Sequence, residues 1–233
     1  LITVQENLYQ YLDEEILAKL PSRQQMFLLR VAPFFPIARE LALIVTAQAN
    51  SEQLLTDIVR REGFIQQDDE GAYHIAPFGQ EYLIARGQKR LTSEERCAIW
   101  QNAGLWYETQ GLFESALNCY LQGGAYLQAQ TLLELIAQKG LGTVTFYPFA
   151  NYYLALPKEQ VASSPLLCCA LAMIHSARYQ ISEAEKWRAA LKLFTKEPEK
   201  NQLAQKYELY LAAALPYLGE RPFIRTLVKA AEQ

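Results

Sequence analysis

The chain has 233 residues, is 51% apolar and 20% charged, and carries a net charge of −3. That length can bury roughly 70% of its unfolded surface, in one large domain or two modest ones. The slightly acidic balance excludes a generally nucleic-acid-binding surface, though not a local basic patch.

The start, LITVQENLYQYLDEE, has neither the basic nor the apolar region of a signal peptide, and no initiating Met. The longest apolar run, Leu166 to Ile174, is half of what a bilayer crossing needs. The expectation is an excised piece of a longer cytoplasmic protein. Cys97, Cys119, Cys168 and Cys169 show no C-x-x-C spacing and read as free buried thiols in a reducing compartment.

In EILAKLPSRQQMFLLRVAPF an apolar stripe runs through Leu17, Leu20, Phe27, Leu28 and Val31, and Pro21 opens a helix at its first turn. Pro33 and Pro36 interrupt before a second helix, Ile37 to Val45. Asn50 or Ser51 caps a third, SEQLLTDIVRRE, with Leu54, Leu55, Ile58 and Val59 inward and Gly63 as its stop. FIQQDDEGAYHI gives two short strands around Asp68-Asp69-Glu70-Gly71. GQEYLIARGQKR is another helix. Three helices, a hairpin and a trailing helix is the order of a winged-helix domain, expected over residues 1–90.

From residue 91 to 233 no strand signal occurs. The predicted helices are Glu94–Gln110, Phe113–Gln122, Ala125–Gln138, Phe146–Ala155, Pro165–Arg178, Ser182–Thr195, Glu199–Leu218 and Pro222–Glu232. Glycines 111, 124, 140 and 219 and prolines 148, 165, 198 and 222 punctuate them. Trp100, Gly104, Tyr107, Ala116 and Tyr120, with Gly123 at the next small position, match the tetratricopeptide spacing. There small residues let helices cross closely and large ones fill the holes between them. Gly111 to Ala116 and Gly124 to Ala129 both read glycine, one residue, aromatic, two residues, alanine. A third, degenerate copy, Tyr179 to Ala184, keeps the aromatic-to-alanine turn with the aromatic two residues further out. The fold class expected is therefore mainly α: a winged helix followed by a tetratricopeptide-like array.

Motifs for chemistry are missing. There is no phosphate-cradling glycine loop and no nucleophile elbow, and His74 and His175 have no partner at metal-ligand spacing. Cys168 or Cys169 with His175 stands about two helical turns apart, too far for a nucleophile pair. Asp68-Asp69-Glu70 reads as a solvated hairpin tip rather than a metal loop. No enzyme, cofactor or metal is expected.

Arg60, Arg61 and Glu62 end a helix that also carries Glu52 and Asp57, a poor charge balance for a major-groove helix, so direct DNA contact is not expected. Gln88-Lys89-Arg90 reads as a solvated junction. FYPFANYYLAL concentrates Phe146, Tyr147, Phe149, Tyr152 and Tyr153. Two readings stand: an effector or partner surface on a concave face, or a buried helix with Phe149 and Tyr153 on one side.

The blocks YLDEEILAKLPSRQQMFLLRVAPF, LLTDIVRREGFIQQDDEGAYHIAPFGQEYL and WYETQGLFESALNCYLQGGAYLQAQTLLE, in that order, resemble the maltose-regulator (MalT-type) transcription activators. These are bacterial signal-transducing ATPases with a terminal LuxR-type DNA-binding domain. The resemblance spans about residues 11 to 195. It implies a winged-helix arm followed by a helical-repeat sensor for a small molecule or regulatory protein. The ATPase and DNA-binding modules would lie outside this sequence, and the nucleotide module would be a partner of the arm. Where the family usually has H-x-L-F, this chain has Ala76-Pro77-Phe78-Gly79, so no nucleotide contact carries over to Ala76. The alternative is an interaction scaffold with no transcriptional role.

Overall fold

The computed structural model describes residues 4–62, 65–138 and 143–214. They belong to two compact units, residues 1–123 and 124–233. The first unit holds α1 (Val4–Glu15), α2 (Ser22–Val31), α3 (Arg39–Thr46), α4 (Ser51–Glu62), β1 (Ile65–Gln67), β2 (Tyr73–Ile75), α5 (Pro77–Arg90), α6 (Ser93–Thr109) and α7 (Phe113–Gln122).

Pro21 stands just ahead of α2, and its carbonyl accepts from Gln24 and Gln25 N–H. All five residues of the stripe from Leu17 to Val31 are buried. In α4, Leu54, Leu55 and Ile58 are buried and Val59 half-buried. β1 and β2 pair antiparallel with Gln66 opposite His74, and Ile37 bridges Tyr73 through two backbone hydrogen bonds of 2.9 and 3.0 Å. Ile65 and Tyr73 thereby face the core, while Gln66 and His74 face water.

The sequence pattern does not announce α1, because distant groups hold it. Tyr9 stacks edge-on against Tyr82 at 5.4 Å, and Leu12 is buried. Tyr82 donates its hydroxyl to Asp13 Oδ1 at 2.5 Å, and Arg86 forms an ion pair with the other carboxylate oxygen. Burial, reinforced by the Asp13 hydrogen bond, pushes the Tyr82 phenol well above its usual range.

Thr92 and Glu95 close a capping box on α6. Thr92 Oγ1 accepts from Glu95 N–H at 3.1 Å, and Glu95 Oε2 accepts from Thr92 N–H at 2.9 Å. A cap of this kind is worth about 1 kcal/mol. Glu95 Oε1 also accepts from Arg30 on α2 at 2.8 Å, so one carboxylate starts α6 and ties it to the winged helix. Trp100 lies edge-on to Phe34 at 4.9 Å between ring centres. The passage placed at residues 90 and 91 falls inside this unit, and α6 and α7 pack as an antiparallel pair within it.

The five repeat positions meet in that pair. A Cβ on Gly104 would sit 2.6 Å from the Tyr120 ring, and one on Gly123 would sit 2.9 Å from Trp100 Cβ. Both glycines exist to let the helices approach. Ala116 and Tyr120 are buried, and the Tyr120 hydroxyl donates to Glu108 Oε2 at 2.5 Å. Tyr107 is half-buried.

The second unit holds α8 (Tyr126–Gln138), α9 (Thr143–Phe146), α10 (Ala150–Ala155), α11 (Lys158–Val161), α12 (Pro165–Ala177), α13 (Ile181–Leu193) and α14 (Asn201–Ala214). α12 is buried almost all round, packed by α8, α9, α10, α13 and α14. Ser164 caps it by accepting from Leu167 N–H, with Pro165 at its first position.

Two expectations are corrected. The single helix Phe146–Ala155 is divided by a turn at Tyr147–Phe149, where Pro148 has no N–H to give. The third copy of the repeated phrase is also placed differently. Tyr179 takes the place of the glycine, not of the aromatic, which falls to Ile181. Gly111 (φ 73°) and Tyr179 (φ 57°) both adopt the left-handed conformation. The next N–H closes the same bond in each turn, Leu112 to Tyr107 O at 2.9 Å and Gln180 to His175 O at 2.8 Å. These positions are 68 residues apart, twice 34, and Ala116, Ala150 and Ala184 recur at 34-residue steps, each at most 3% exposed. The turn signals at Gly63, Gly140 and Gly219, the helix Pro222–Glu232 and the end of Glu199–Leu218 lie outside the described residues.

Gly104→Ala should lower unfolding stability by about 1–3 kcal/mol, and Ala116→Trp by at least as much, as overpacking does. Tyr179→Gly, which relieves a left-handed β-carbon, should leave stability unchanged or raise it by up to about 1 kcal/mol. Urea denaturation of the three variants checks both; an unchanged midpoint for Gly104→Ala contradicts the close approach.

Candidate functional site

The aromatic stretch of the second unit divides into an inner and an outer set. Phe146 and Tyr153 are fully buried and meet edge-on at 5.9 Å, and Tyr153 donates to Leu133 O at 3.3 Å. Burial raises the Tyr153 phenol far above its usual range, helped by the Glu134 charge. Phe149 and Tyr152 are half-buried, 6.3 Å apart, and Tyr147 is half exposed. Phe149 precedes α10 rather than sharing a buried face with Tyr153. Two of the five candidates are core, and three reach the surface.

A groove of about 430 Å³ in the same unit is lined by different residues. Gln130, Glu134 and Gln138 supply one face of α8, Ser163 and Ser164 lead into α12, Lys200 stands just ahead of α14, and Leu203 and Tyr207 supply a face of α14. Its polar groups are pre-arranged. Glu134 Oε1 accepts from Ser164 Oγ at 2.6 Å and from Gln130 Nε2 at 2.9 Å, and Gln160 donates to Gln130. Lys200 Nζ donates to Ser163 O at 3.1 Å and stands 4.8 Å from the Phe194 ring centre. Burial, then the nearby Cys169 and Glu134, raises the Tyr207 phenol. No sequence motif marks this groove. The signal available was the polar line at 130, 134 and 138, one helical face at i, i+4 and i+8.

In the first unit, α4 occupies the place of a recognition helix. Its exposed side chains Glu52, Gln53 and Arg60 include one cation, and Glu52 is paired with Arg39 at 2.6 Å. The Arg61 and Glu62 side chains lie outside the described residues. At the hairpin tip, Asp68 Oδ1 accepts from Glu70 and Ala72 N–H at 3.0 and 2.9 Å, and Oδ2 bonds His74 Nε2 at 2.6 Å. The acid run is thus an internally bonded turn. Among the described residues, no group of three or more His, Cys, Asp or Glu could hold a metal. Gln88, Lys89 and Arg90 are exposed, with Arg90 donating to Gln25.

Cys168 donates to Val161 O at 3.5 Å, and His175 Nδ1 bonds Gln180 Oε1 at 2.7 Å, so the geometry makes no thiol–imidazole pair. Cys119, Cys168 and Cys169 are buried, and burial pushes each thiol up to about 12. Among the described residues no helix is long and apolar enough to cross a membrane.

Residues 13–95 match the family model described as the MalT winged helix domain. The chain carries a MalT-type winged helix domain. No curated protein matches the chain. The MalT-type stretch runs from Asp13, which latches α1 to α5, to Glu95, which joins α6 to α2. The match supports reading the chain as a segment of a MalT-type regulator. The residue ahead of α5 in this MalT-type domain is Ala76, whose carbonyl accepts from Gln80 N–H.

At pH 8 the native chain should leave Cys119, Cys168 and Cys169 unmodified by a thiol reagent, whereas the unfolded chain reacts at all four cysteines. Mass mapping of modified peptides decides; native labelling of Cys168 or Cys169 contradicts their burial. Asp68 should titrate below the ordinary carboxylate range, held down first by the His74 hydrogen bond. Because its folded value is depressed, its contribution is present above the ordinary range and is lost as pH falls through the lowered value. His74→Ala should move the NMR titration of Asp68 upward; no movement contradicts the pairing.

Proposed function

We propose that this chain is the middle segment of a bacterial transcriptional regulator. The winged helix relays the nucleotide state of an ATPase module elsewhere in the full-length protein. A cytoplasmic tetratricopeptide-like array senses an effector, a small molecule or a regulatory protein. The observation that carries this reading is the MalT winged helix match at 13–95 joined to a helical pair built on Gly104 and Tyr120. The 34-residue recurrence of the buried alanines 116, 150 and 184 supports the repeat reading. The pre-arranged polar groove from Gln130 to Tyr207 supports a sensing surface in the second unit, with the outer aromatics Tyr147, Phe149 and Tyr152 a second surface for a partner. The near-neutral face of α4 supports relay rather than DNA contact.

The second reading, an interaction scaffold with no transcriptional role, draws on the same groove. Isothermal titration of the 233-residue chain against a broad panel of metabolites and proteins should yield an effector. Its binding should weaken at least tenfold in Glu134→Gln or Tyr207→Ala. Silence across the panel counts against the sensor. The chain should also bind random duplex DNA more weakly than the roughly 10⁻⁴ to 10⁻⁶ M of ordinary non-specific binders at physiological salt. Binding within that range, lost in Arg60→Ala, would overturn the relay assignment of α4.

A further inference from the structure

A cleft of about 390 Å³ opens in the first unit where α2, α5 and α6 come together. It is within the size range of small-molecule sites. Leu29, Pro33, Ile84, Leu91, Ile99 and Trp100 supply apolar lining. Two cations, Arg30 and Arg96, also line it, and no carboxylate does. Arg30 is partly compensated by Glu95 at 2.8 Å.

Arg96 is different. Its Nη1 donates to Leu91 O at 2.6 Å and Gln88 O at 3.1 Å, and its Nη2 reaches Ser93 Oγ at 3.5 Å. All three are neutral oxygens: the Gln88 and Leu91 carbonyls end α5, where the partial negative charge offsets only part of a guanidinium, and the Ser93 hydroxyl begins α6. Among the described residues no carboxylate forms a salt bridge with Arg96, although it is half-buried. A guanidinium fixed by carbonyls beside an indole and aliphatic side chains has the chemistry to hold an anion whose body is apolar.

We propose that this cleft binds a small amphipathic carboxylate, its head group on Arg96 and its apolar body against Trp100 and Ile84. Such a ligand touches α5 and α6 together, so it tightens the joint between the winged helix and the helical pair. This site is separate from the groove of the second unit and stands whether or not that groove senses an effector.

Three probes that differ only in head group test it on the 233-residue chain: octanoate, octanol and octylamine. Isothermal titration should find one saturable site for octanoate, at least tenfold tighter than for octanol, with octylamine weakest. Cys97 also lines the cleft and is half-exposed, so octanoate should slow its reaction with a thiol reagent at least fivefold. Arg96→Met should reduce octanoate to the affinity of octanol; a thermal melt checks that this variant is folded, and the three-probe comparison on the unaltered chain does not depend on it. Equal affinity for the three probes, no saturable octanoate binding, or no slowing at Cys97 would each overturn the proposal.

Discussion

Trp100 is held at two points. On one side it meets the Phe34 ring; on the other its β-carbon comes so close to Gly123 that no side chain fits there. One turn further along α6, Gly104 is bare because the Tyr120 ring lies on its backbone. The distance between α6 and α7 is therefore set by glycines, and α6 is attached to the winged helix by the Phe34 contact and by packing on α3. Interiors packed at crystal-like density pass displacements on rather than absorb them. A shift of α2 or of the turn at Ala32–Phe34 has to reach α6.

Polar groups reinforce the same joint without carrying it alone. Glu95 caps α6 and holds Arg30, and its carboxyl is kept below the usual range first by the Thr92 backbone N–H and then by Arg30. Partly exposed ion pairs contribute little by themselves. Here the pair fixes direction, since the residue that begins the helix also chooses its neighbour. Asp13 does similar work between α1 and α5 through Tyr82 and Arg86. The winged helix is thus tied to α1 through Asp13 and to α6 through Glu95. Among the described side chains of α4, Arg60 is the exposed cation, and the acid Glu52 is already paired with Arg39.

Local chemistry made much of this legible in the sequence. Pro21, Ser51 and the turn at Asp68–Gly71 mark boundaries because proline, small polar caps and glycine have few conformations to choose from. The spacing of Trp100, Gly104, Ala116 and Tyr120 was legible because small and large residues alternate wherever helices cross. What could not be read depended on partners far along the chain. α1 becomes a helix by lying on Tyr82, about 70 residues later. The break at Tyr147–Phe149 hides in a run whose aromatics could equally make one helix. Tyr179 misled because its type suggests a packing residue, while its place, two repeats beyond Gly111, demands a left-handed backbone. The second unit's groove was illegible as a site because its lining comes from three segments, near 130, 164 and 203, that only folding brings together.

Packed in this way, the winged helix and the α6–α7 pair should open and close as one body. Native-state hydrogen exchange of the chain measures this directly. The slowest amides of α2, α5 and α6 should share one opening free energy and one dependence on denaturant. Amides of α6 and α7 that exchange through a separate, much easier opening, while α2 and α5 stay protected, would contradict it.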